Sequence, residues 1–404
     1  MLLKIAWRNV WRSPGRTITI ILAITVGVAS LSFLTGFING FIISFVDNGI
    51  NSDYSHIQLH HPEYKKDKEV KYFIENGLGL SESINESSDV KAVSPRTIIG
   101  GMISSAKAAN GITIYGISEQ KEALTTHLDS ALIEGTYFKT IKRNPVLISS
   151  KTAENLKLKL KSKLVLTFQN TEGEIVAGAF RVDGIFDTKS VRINNSVVYV
   201  RSEDLSRLLG GETKIHEIAI LLNDLNQVPV VYDSLTKAQP SLLVESWGEL
   251  APELELMQSQ IWINMIFVLV IIMGALCFGI VNTMLMAVLE RIKELGMLMA
   301  VGMKKTRVFS MIVMETLLMA AVGSPVGLII GWLINHYFIT NGLDLTAYSA
   351  GLKEYGYDAI LYPEVSAIHY TIIAFGVALT AIIASVYPAR KATKLKPVEA
   401  LHTI

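Results

Sequence analysis

The feature that most constrains this chain is a set of four long apolar blocks that carry almost no charge. The blocks are residues 17–46, 256–289, 308–338 and 365–389. Only the third contains a charged residue, Glu315. Each block exceeds the roughly 20 apolar residues that a transmembrane helix needs. The sequence therefore predicts four spans, and the first is too long for a cleaved signal peptide.

The polar stretches between the blocks set the predicted organisation. At 1.5 Å per residue the first two blocks would form helices of roughly 45 and 51 Å, longer than a bilayer core of about 30 Å. We therefore expect both to continue beyond the membrane as a stalk that carries residues 47–255. The predicted segments are a tail (1–16), span one and stalk (17–46), a large domain (47–255), stalk and span two (256–289), a connection (290–307), span three (308–338), a loop (339–366), span four (367–387) and a second tail (388–404).

Charge asymmetry predicts the orientation. The two tails and the 290–307 connection together carry 13 basic residues up to position 396. They are Lys4, Arg8, Arg12, Arg16, Arg291, Lys293, Lys304, Lys305, Arg307, Arg390, Lys391, Lys394 and Lys396. The 339–366 loop has one basic residue, Lys353, and four acidic ones. The positive-inside rule then places both termini in the cytoplasm and the large domain outside.

The 47–255 segment alternates strand and helix signals, which predicts an α+β domain. Predicted strands are 55–61, 93–104, 111–117, 163–168, 175–186, 196–200, 215–222 and 241–245. Predicted helices are 65–84, 151–158, 202–208 and 228–237. The residues NTEG at 170–173 predict a tight hairpin turn.

The sequence offers no sign of its own catalytic chemistry. It contains no G-x-x-x-x-G-K-[ST] loop for ATP phosphates, no G-x-S-x-G elbow and no H-E-x-x-H motif. His56 and His60 would share one face of a strand, but two ligands do not make a zinc site. The near-zero net charge of +1 argues against nucleic-acid binding. We predict no catalytic residue, no metal site and no cofactor in this chain.

The connection between spans two and three, Glu290–Gly302, is the most informative motif. Its apolar residues have helical spacing, so it predicts an amphipathic helix that ends near Gly302. One interpretation is a loop at the membrane surface that only sets topology. The other is a helix that docks into a cytoplasmic partner and passes motion to the spans. The candidate coupling residues are Glu290, Arg291, Ile292, Glu294, Leu295, Gly296, Leu298, Met299 and Gly302.

Several intramembrane residues favour helix packing. Gly323, Gly327 and Gly331 recur every four residues in span three, and Gly36 and Gly40 do so in span one. The alternative is that glycine is simply common in membrane helices.

Two polar residues also lie inside spans. Asn282 calls for a hydrogen-bond partner, which we expect on another helix rather than in a substrate. Glu315 predicts an interfacial ion pair with a nearby Lys or Arg rather than a proton relay, since relays usually come as chains of such groups.

Three motifs resemble one family. The stretch ERIKELGMLMAVG (290–302), the ending YPARKATKLKPVEAL (387–401) and the opening IAWRNVWRSPGR (5–16) resemble the FtsX-like permease domain of MacB-type ABC transporters. Within that family, Asn39–Phe41 and Arg181–Asp187 resemble the lipoprotein-releasing permeases LolC and LolE. The resemblance implies four transmembrane helices with a MacB periplasmic-core-like α+β domain between the first two.

The same resemblance implies the partners. They are two copies of a separate cytoplasmic ATPase that binds ATP and Mg, a second permease copy or paralogue, membrane lipid, lipoprotein cargo and a periplasmic chaperone. LolC-type proteins grip the chaperone with a long hook, whereas the matching place here, 168–180, has only a short turn. A partner permease would then supply the hook, or the cargo would differ. The implied location is the bacterial inner membrane.

The resemblance also places a lateral gate at spans one and two of facing subunits. Phe33, Phe37 and Phe41 near the outer end of span one are the gate candidates, although aromatics also mark membrane interfaces. The implied function is ATP-driven release of lipoproteins by mechanotransmission. Export of a small molecule or peptide, and an FtsX-like scaffold that regulates periplasmic hydrolases, remain alternatives.

Overall fold

The computed structural model describes residues 2–354, 357 and 359–394. The last part of the predicted tail, with Lys396 and the end of the 387–401 motif, lies outside the described residues. The chain divides into a helical unit and an α+β unit. The helical unit comprises Met1–Ile43, Ser259–Leu345 and Ile360–Ile404, and the α+β unit comprises Ser44–Gln258 and Thr346–Ala359.

The secondary structure follows in chain order. The helices are α1 (Leu2–Val10), α2 (Pro14–Gly49), α3 (Gly77–Asn85), α4 (Glu119–Thr126), α5 (Ser150–Leu156), α6 (Val191–Ser196), α7 (Ser202–Leu208), α8 (Val228–Ala238), α9 (Trp247–Leu250), α10 (Pro252–Ser259), α11 (Ile261–Glu290), α12 (Ile292–Ala300), α13 (Lys305–Asn341), α14 (Ser349–Glu354) and α15 (Ala367–Thr393). The strands are β1 (Ile57–His60), β2 (Val90–Ser104), β3 (Ala109–Ile117), β4 (Leu132–Gly135), β5 (Pro145–Ser149), β6 (Lys163–Gln169), β7 (Ile175–Phe186), β8 (Val197–Arg201), β9 (Glu217–Leu222), β10 (Leu243–Ser246), β11 (Leu343–Asp344) and β12 (Ile360–Leu361).

Within the described residues, four helices are long and apolar enough to cross a membrane: α2, α11, α13 and α15. A π-helical turn, Ile50–Tyr54, extends α2, and α10 precedes α11. The helical unit packs them around one apolar core that includes Ile24, Val308 and Ile373. In α13 the regularly spaced glycines let α2 approach closely. A Cβ added at Gly327 would lie 2.7 Å from the Thr25 carbonyl oxygen.

The α+β unit is built on a ten-stranded sheet. Its order is β10-β1-β9-β2-β3-β8-β5-β7-β4, and β6 pairs with both β2 and β7. The pairs β3–β8 and β5–β7 are parallel and the other pairs are antiparallel. The predicted hairpin at 170–173 is confirmed, since Gln169 at the end of β6 pairs with Ile175 at the start of β7.

All eight predicted strands are present, with ends that shift by a few residues, but several other elements of this unit were not predicted correctly. The helix expected over 65–84 is wrong in its first part, because only Gly77–Asn85 is helical. There, Ile74 instead bridges Ile215, and its backbone N–H donates to the Ile215 carbonyl at 2.7 Å. The strands β4 and β5 and the helices α4 and α6 were missed.

Candidate coupling site between the second and third spans

The segment between α11 and α13 forms the predicted short helix. Helix α11 ends at Glu290, Arg291 separates the two helices, and α12 then runs from Ile292 to Ala300. Gly302 follows with φ +102°, a left-handed conformation that glycine adopts without steric cost. Its backbone N–H donates to the Met299 carbonyl at 3.1 Å, which closes the helix end. The predicted amphipathic helix and its glycine terminus are confirmed.

The two faces of α12 differ from the expectation in one respect. Leu295 is only 5% exposed and belongs to the core of the helical unit, together with Val308 and Met311. Gly296 is buried beside it. The assumption that Leu295 lies on a partner-docking face is therefore wrong. Helical spacing identifies an apolar stripe, but it does not tell which neighbour covers that stripe, and here the chain's own helices cover it.

The outward face of α12 is also partly apolar. Met297 is 56% exposed, Leu298 is 37% exposed and Val301, just after the helix, is 85% exposed. Ile292 and Met299 are half-buried at the boundary between the two faces. A partner that approaches this connection would therefore meet Met297, Leu298 and Val301 rather than Leu295.

Ion pairs tie α12 and the end of α11 to the N-terminal segment. Arg12 pairs with Glu294 at 2.6 Å, and Arg16 pairs with Glu290 at 2.5 Å. The Arg12–Glu294 pair is exposed, and in the other pair Glu290 is exposed while Arg16 is half-buried, so each pair contributes about 0–1 kcal/mol. Their importance lies in what they connect: the paired residues are about 280 positions apart in the sequence and meet at one end of the helical unit.

Glu315 lies behind these exposed pairs and is buried. Its carboxylate accepts a hydrogen bond from the Asn9 side chain at 2.7 Å. Arg291 lies 3.5 Å from its other oxygen and also faces Glu294 at 3.6 Å. The structure thus pairs Glu315 with an arginine, as expected from the sequence, and also with an amide, which was not expected.

Helix α1 is the functional element that the sequence reasoning missed. Its residues were treated as a basic tail, yet Asn9 and the turn that bears Arg12 complete the site. A cavity of about 360 Å³ lies between α1, α11, α12 and α13, lined by Asn9, Arg12, Arg291, Glu294 and Glu315 among others. Part of the signal was in the sequence: Ala6 and Val10 are four residues apart and both are buried, while Arg8 between them is exposed.

The other intramembrane candidates fall into two groups. Gly36 packs against Val365 and Asn335, and Gly40 packs against the backbone of Tyr362. Asn282, in contrast, is exposed on α11, and no hydrogen-bond partner for it occurs among the described residues. The helix partner expected for this amide is thus not within the described part of this chain.

The three gate candidates form an aromatic ladder on α2. Ring centroids are 6.4 Å apart for Phe33 and Phe37 and 6.2 Å apart for Phe37 and Phe41. Phe33 also lies 5.9 Å from Phe338 of α13. All three phenylalanines of the ladder are half-buried, so part of each side chain remains accessible.

A second polar cluster is buried in the α+β unit. His60 lies 3.2 Å from Glu217 and 3.6 Å from Glu245, and Glu217 also pairs with Arg96 at 2.6 Å. Burial opposes a charge on His60, but its interactions with the two carboxylates outweigh burial and raise the pKa of His60 to about 9. Burial likewise opposes ionisation of Glu217, but Arg96 and His60 lower its pKa to about 2.

Comparisons with known proteins agree with this architecture. The family model described as MacB-like periplasmic core domain matches residues 17–238, and the model described as FtsX-like permease C-terminal matches residues 265–397. The fold defines a multi-pass membrane protein with an extracytoplasmic domain. The chain belongs to the MacB- and FtsX-like superfamily of ABC transporter permeases.

The individual relatives share only a low sequence identity with this chain. The lipoprotein-releasing system transmembrane protein LolE of Haemophilus influenzae is 20% identical, over 82% of this chain and 82% of that protein. The macrolide export ATP-binding/permease protein MacB of Marinobacter nauticus is 23% identical, over 99% of this chain and 60% of that protein. Among solved structures, the periplasmic region of MacB from Actinobacillus actinomycetemcomitans covers 51% of this chain and 94% of that region, with 13% identity and a TM-score of 0.36.

Proposed function

We propose that this chain is the permease subunit of an ATP-driven transporter that releases lipoproteins from the inner membrane toward the outer membrane. The observation that carries the proposal is the match to LolE, which spans 82% of both chains and so includes both units. The half-buried aromatic ladder of Phe33, Phe37 and Phe41 supports it, because it offers an apolar surface where acyl chains could enter.

Depletion of the protein tests this function. Lipoproteins destined for the outer membrane should then accumulate in the inner membrane, as measured by density separation of the two membranes. A photo-crosslinking residue at Phe37 should capture lipoprotein, and the adduct should fall when ATP is supplied. The same residue at Phe375, an exposed position on α15, is the matched control and should capture only phospholipid.

Export of a small molecule or peptide is the second candidate. The match to MacB, a macrolide exporter by name, spans 99% of this chain. The same experiments separate the two functions. If Phe37 captures phospholipid alone and lipoproteins still reach the outer membrane after depletion, lipoprotein release is excluded and small-molecule export becomes the better account.

In the proposed complex, ATP and Mg bind to a separate cytoplasmic ATPase present in two copies. One observation supports this division: the sequence has no phosphate-binding loop of the form G-x-x-x-x-G-K-[ST]. Met297, Leu298 and Val301 form the surface proposed to meet the ATPase. The purified chain alone should not hydrolyse ATP, and specific hydrolysis would contradict the assignment.

A second permease copy or a paralogue would complete the membrane part. The support is α11, where Phe267 and Phe278 are exposed and Asn282 has no partner among the described residues. An amide in a bilayer gains stability from a hydrogen bond across helices. Single cysteines at Phe278 or Asn282 in a Cys277→Ser background should form crosslinks between copies, or to a paralogue, whereas a cysteine at Phe375 should not.

The proposed orientation places both termini and α12 in the cytoplasm. It is supported by the 13 basic residues on that side, of which 12 fall within the described residues. A single cysteine at Ser130, exposed in the α+β unit, should react with an impermeant thiol reagent added to intact cells. A cysteine at Thr306, exposed at the start of α13, should react only after the membrane is opened. Labelling of the Thr306 variant in intact cells would contradict the proposed orientation.

A further inference from the structure

Helix α1 and the turn after it display two parallel stripes of exposed side chains. Each stripe has a spacing of four residues, so its two members within α1 lie on one line along the helix. The third member of each stripe lies in the turn after α1, where the Trp11 ring lies 5.9 Å from the Trp7 ring. The apolar stripe is Leu3, Trp7 and Trp11, which are 57%, 43% and 44% exposed. The cationic stripe is Lys4, Arg8 and Arg12, all exposed.

Other residues of α1 pack against the rest of the helical unit. Ala6 and Val10 are buried, and Asn9 donates to Glu315. The spanning helix α2 then begins at Pro14, so α1 lies within a short turn of the membrane. A helix with Trp on one line and Lys or Arg on the next is typical of the boundary between lipid headgroups and acyl chains.

The charges on this surface are not balanced. The first 46 residues contain no Asp or Glu at all. From the packed elements, Glu294 reaches Arg12, Glu290 reaches Arg16 and Glu315 reaches Asn9. No carboxylate among the described residues pairs with Lys4 or Arg8. The unpaired charge is positive and lies beside an apolar stripe, which is complementary to an anionic phospholipid.

We propose that α1 is a binding site for anionic phospholipid headgroups. Lys4, Arg8 and Arg12 hold the phosphate, and Leu3, Trp7 and Trp11 enter the adjoining apolar layer. Arg12 also pairs with Glu294 of α12, so a headgroup competes with Glu294 for the same guanidinium. Binding of an anionic lipid is thereby coupled to α12, the helix between spans two and three, through the Arg12–Glu294 ion pair. This site does not depend on which cargo the transporter moves.

Tryptophan quenching by brominated lipid tests the site in the full chain. Trp247, Trp262 and Trp332 are replaced by Phe so that Trp7 and Trp11 are the reporters. Phosphatidylcholine vesicles contain an equal minor fraction of either brominated phosphatidylglycerol or brominated phosphatidylcholine. We expect severalfold stronger quenching by the brominated phosphatidylglycerol. Equal quenching by the two lipids, or quenching by neither, overturns the proposal.

Charge variants identify the residues responsible. In the triple variant Lys4→Gln, Arg8→Gln and Arg12→Gln, the two brominated lipids should quench tryptophan fluorescence equally. The matched control, Lys304→Gln with Lys305→Gln and Arg307→Gln, removes the same charge near the start of α13 and should keep the preference. If the control loses it equally, the site is not on α1.

Two further measurements test the ligand and the competition. Excess inorganic phosphate should leave the preference intact, and its loss would reassign the site to a free anion. Glu294→Gln releases Arg12 from its ion pair and should raise the preference by up to about fivefold, the effect expected for one additional basic group at an anionic surface. An unchanged preference in this variant would refute the competition with Glu294.

Discussion

The side chain of Asn9 donates a hydrogen bond to the buried carboxylate of Glu315 at 2.7 Å, across 306 positions of sequence. This contact joins α1 to the spanning helix α13. The same carboxylate also forms an ion pair with Arg291, at 3.5 Å. Asn9 is thus the residue through which α1 itself makes a polar contact with a buried group, in addition to the apolar contacts of Ala6 and Val10.

Removal of this donor should loosen α1. Asn9→Leu leaves the Glu315 carboxylate with one partner fewer, which should cost about 1–3 kcal/mol. Hydrogen–deuterium exchange of residues 2–10 in nanodiscs should accelerate accordingly. The double variant Asn9→Leu with Glu315→Leu should recover part of the protection, because it removes both polar groups. Unchanged exchange in the single variant would show that the hydrogen bond does not hold α1.

The two faces of α12 should respond differently to a negative charge. Leu298 lies on the exposed face of α12. Leu298→Asp should therefore weaken ATPase association or coupled activity while the protein stays folded. Leu295→Asp places a charge in the core, where burial without a partner costs several kcal/mol, and should destabilise the helical unit. Thermal unfolding and ATPase stimulation, measured on the same samples, separate the outcomes, with Leu298→Met as the conservative control. Normal coupling in Leu298→Asp would count against docking at this face.

Much of the fold could be predicted because its signals are local. Uncharged blocks identify spans, and β-branched runs identify strands such as β7 and β9. The first part of 65–84 failed because pairing of Ile74 with Ile215, distant in sequence, overrides a local preference for helix. The short strands β4 and β5 lack a long alternating pattern, so only their partners in the sheet define them.

The site was predictable in position but not in orientation. Charges and glycine spacing located α12 and the α13 packing face from sequence. What periodicity could not provide was the neighbour of each face, so Leu295 was assigned to a partner when the chain's own core covers it. The spacing of Ala6 and Val10 indicated a packed face on α1, but the contact between Asn9 and Glu315 joins residues distant in sequence and leaves no local signal.

The glycines of α13 should be sensitive to a single methyl group. A Cβ at Gly327 would lie 2.7 Å from the Thr25 carbonyl oxygen and 2.8 Å from the Val28 Cβ, so the two helices must separate. We expect Gly327→Ala to destabilise the helical unit by about 1–3 kcal/mol, as overpacking does. Gly274→Ala on α11 is the matched control, because a Cβ added there would meet no atom outside its own helix backbone within 4 Å. Thermal unfolding in detergent measures both, and equal behaviour of the two variants would argue against close packing at Gly327.

The buried histidine of the α+β unit should make the stability of that unit depend on pH. The pKa of His60 rises from 6.5 to about 9 on folding, so its contribution is complete below pH 6.5 and disappears as pH rises through 9. His60→Gln should therefore lower the free energy of unfolding most near pH 6, by on the order of 3 kcal/mol, and least above pH 9. Exchange of β1 and β9 peptides, compared between variant and wild type at each pH, measures the difference. His61→Gln is the control, because the side chain of His61 stacks on Tyr72 instead of meeting Glu217 or Glu245. A His60→Gln effect that stays constant from pH 6 to 9 would mean that His60 stabilises the unit without its charge.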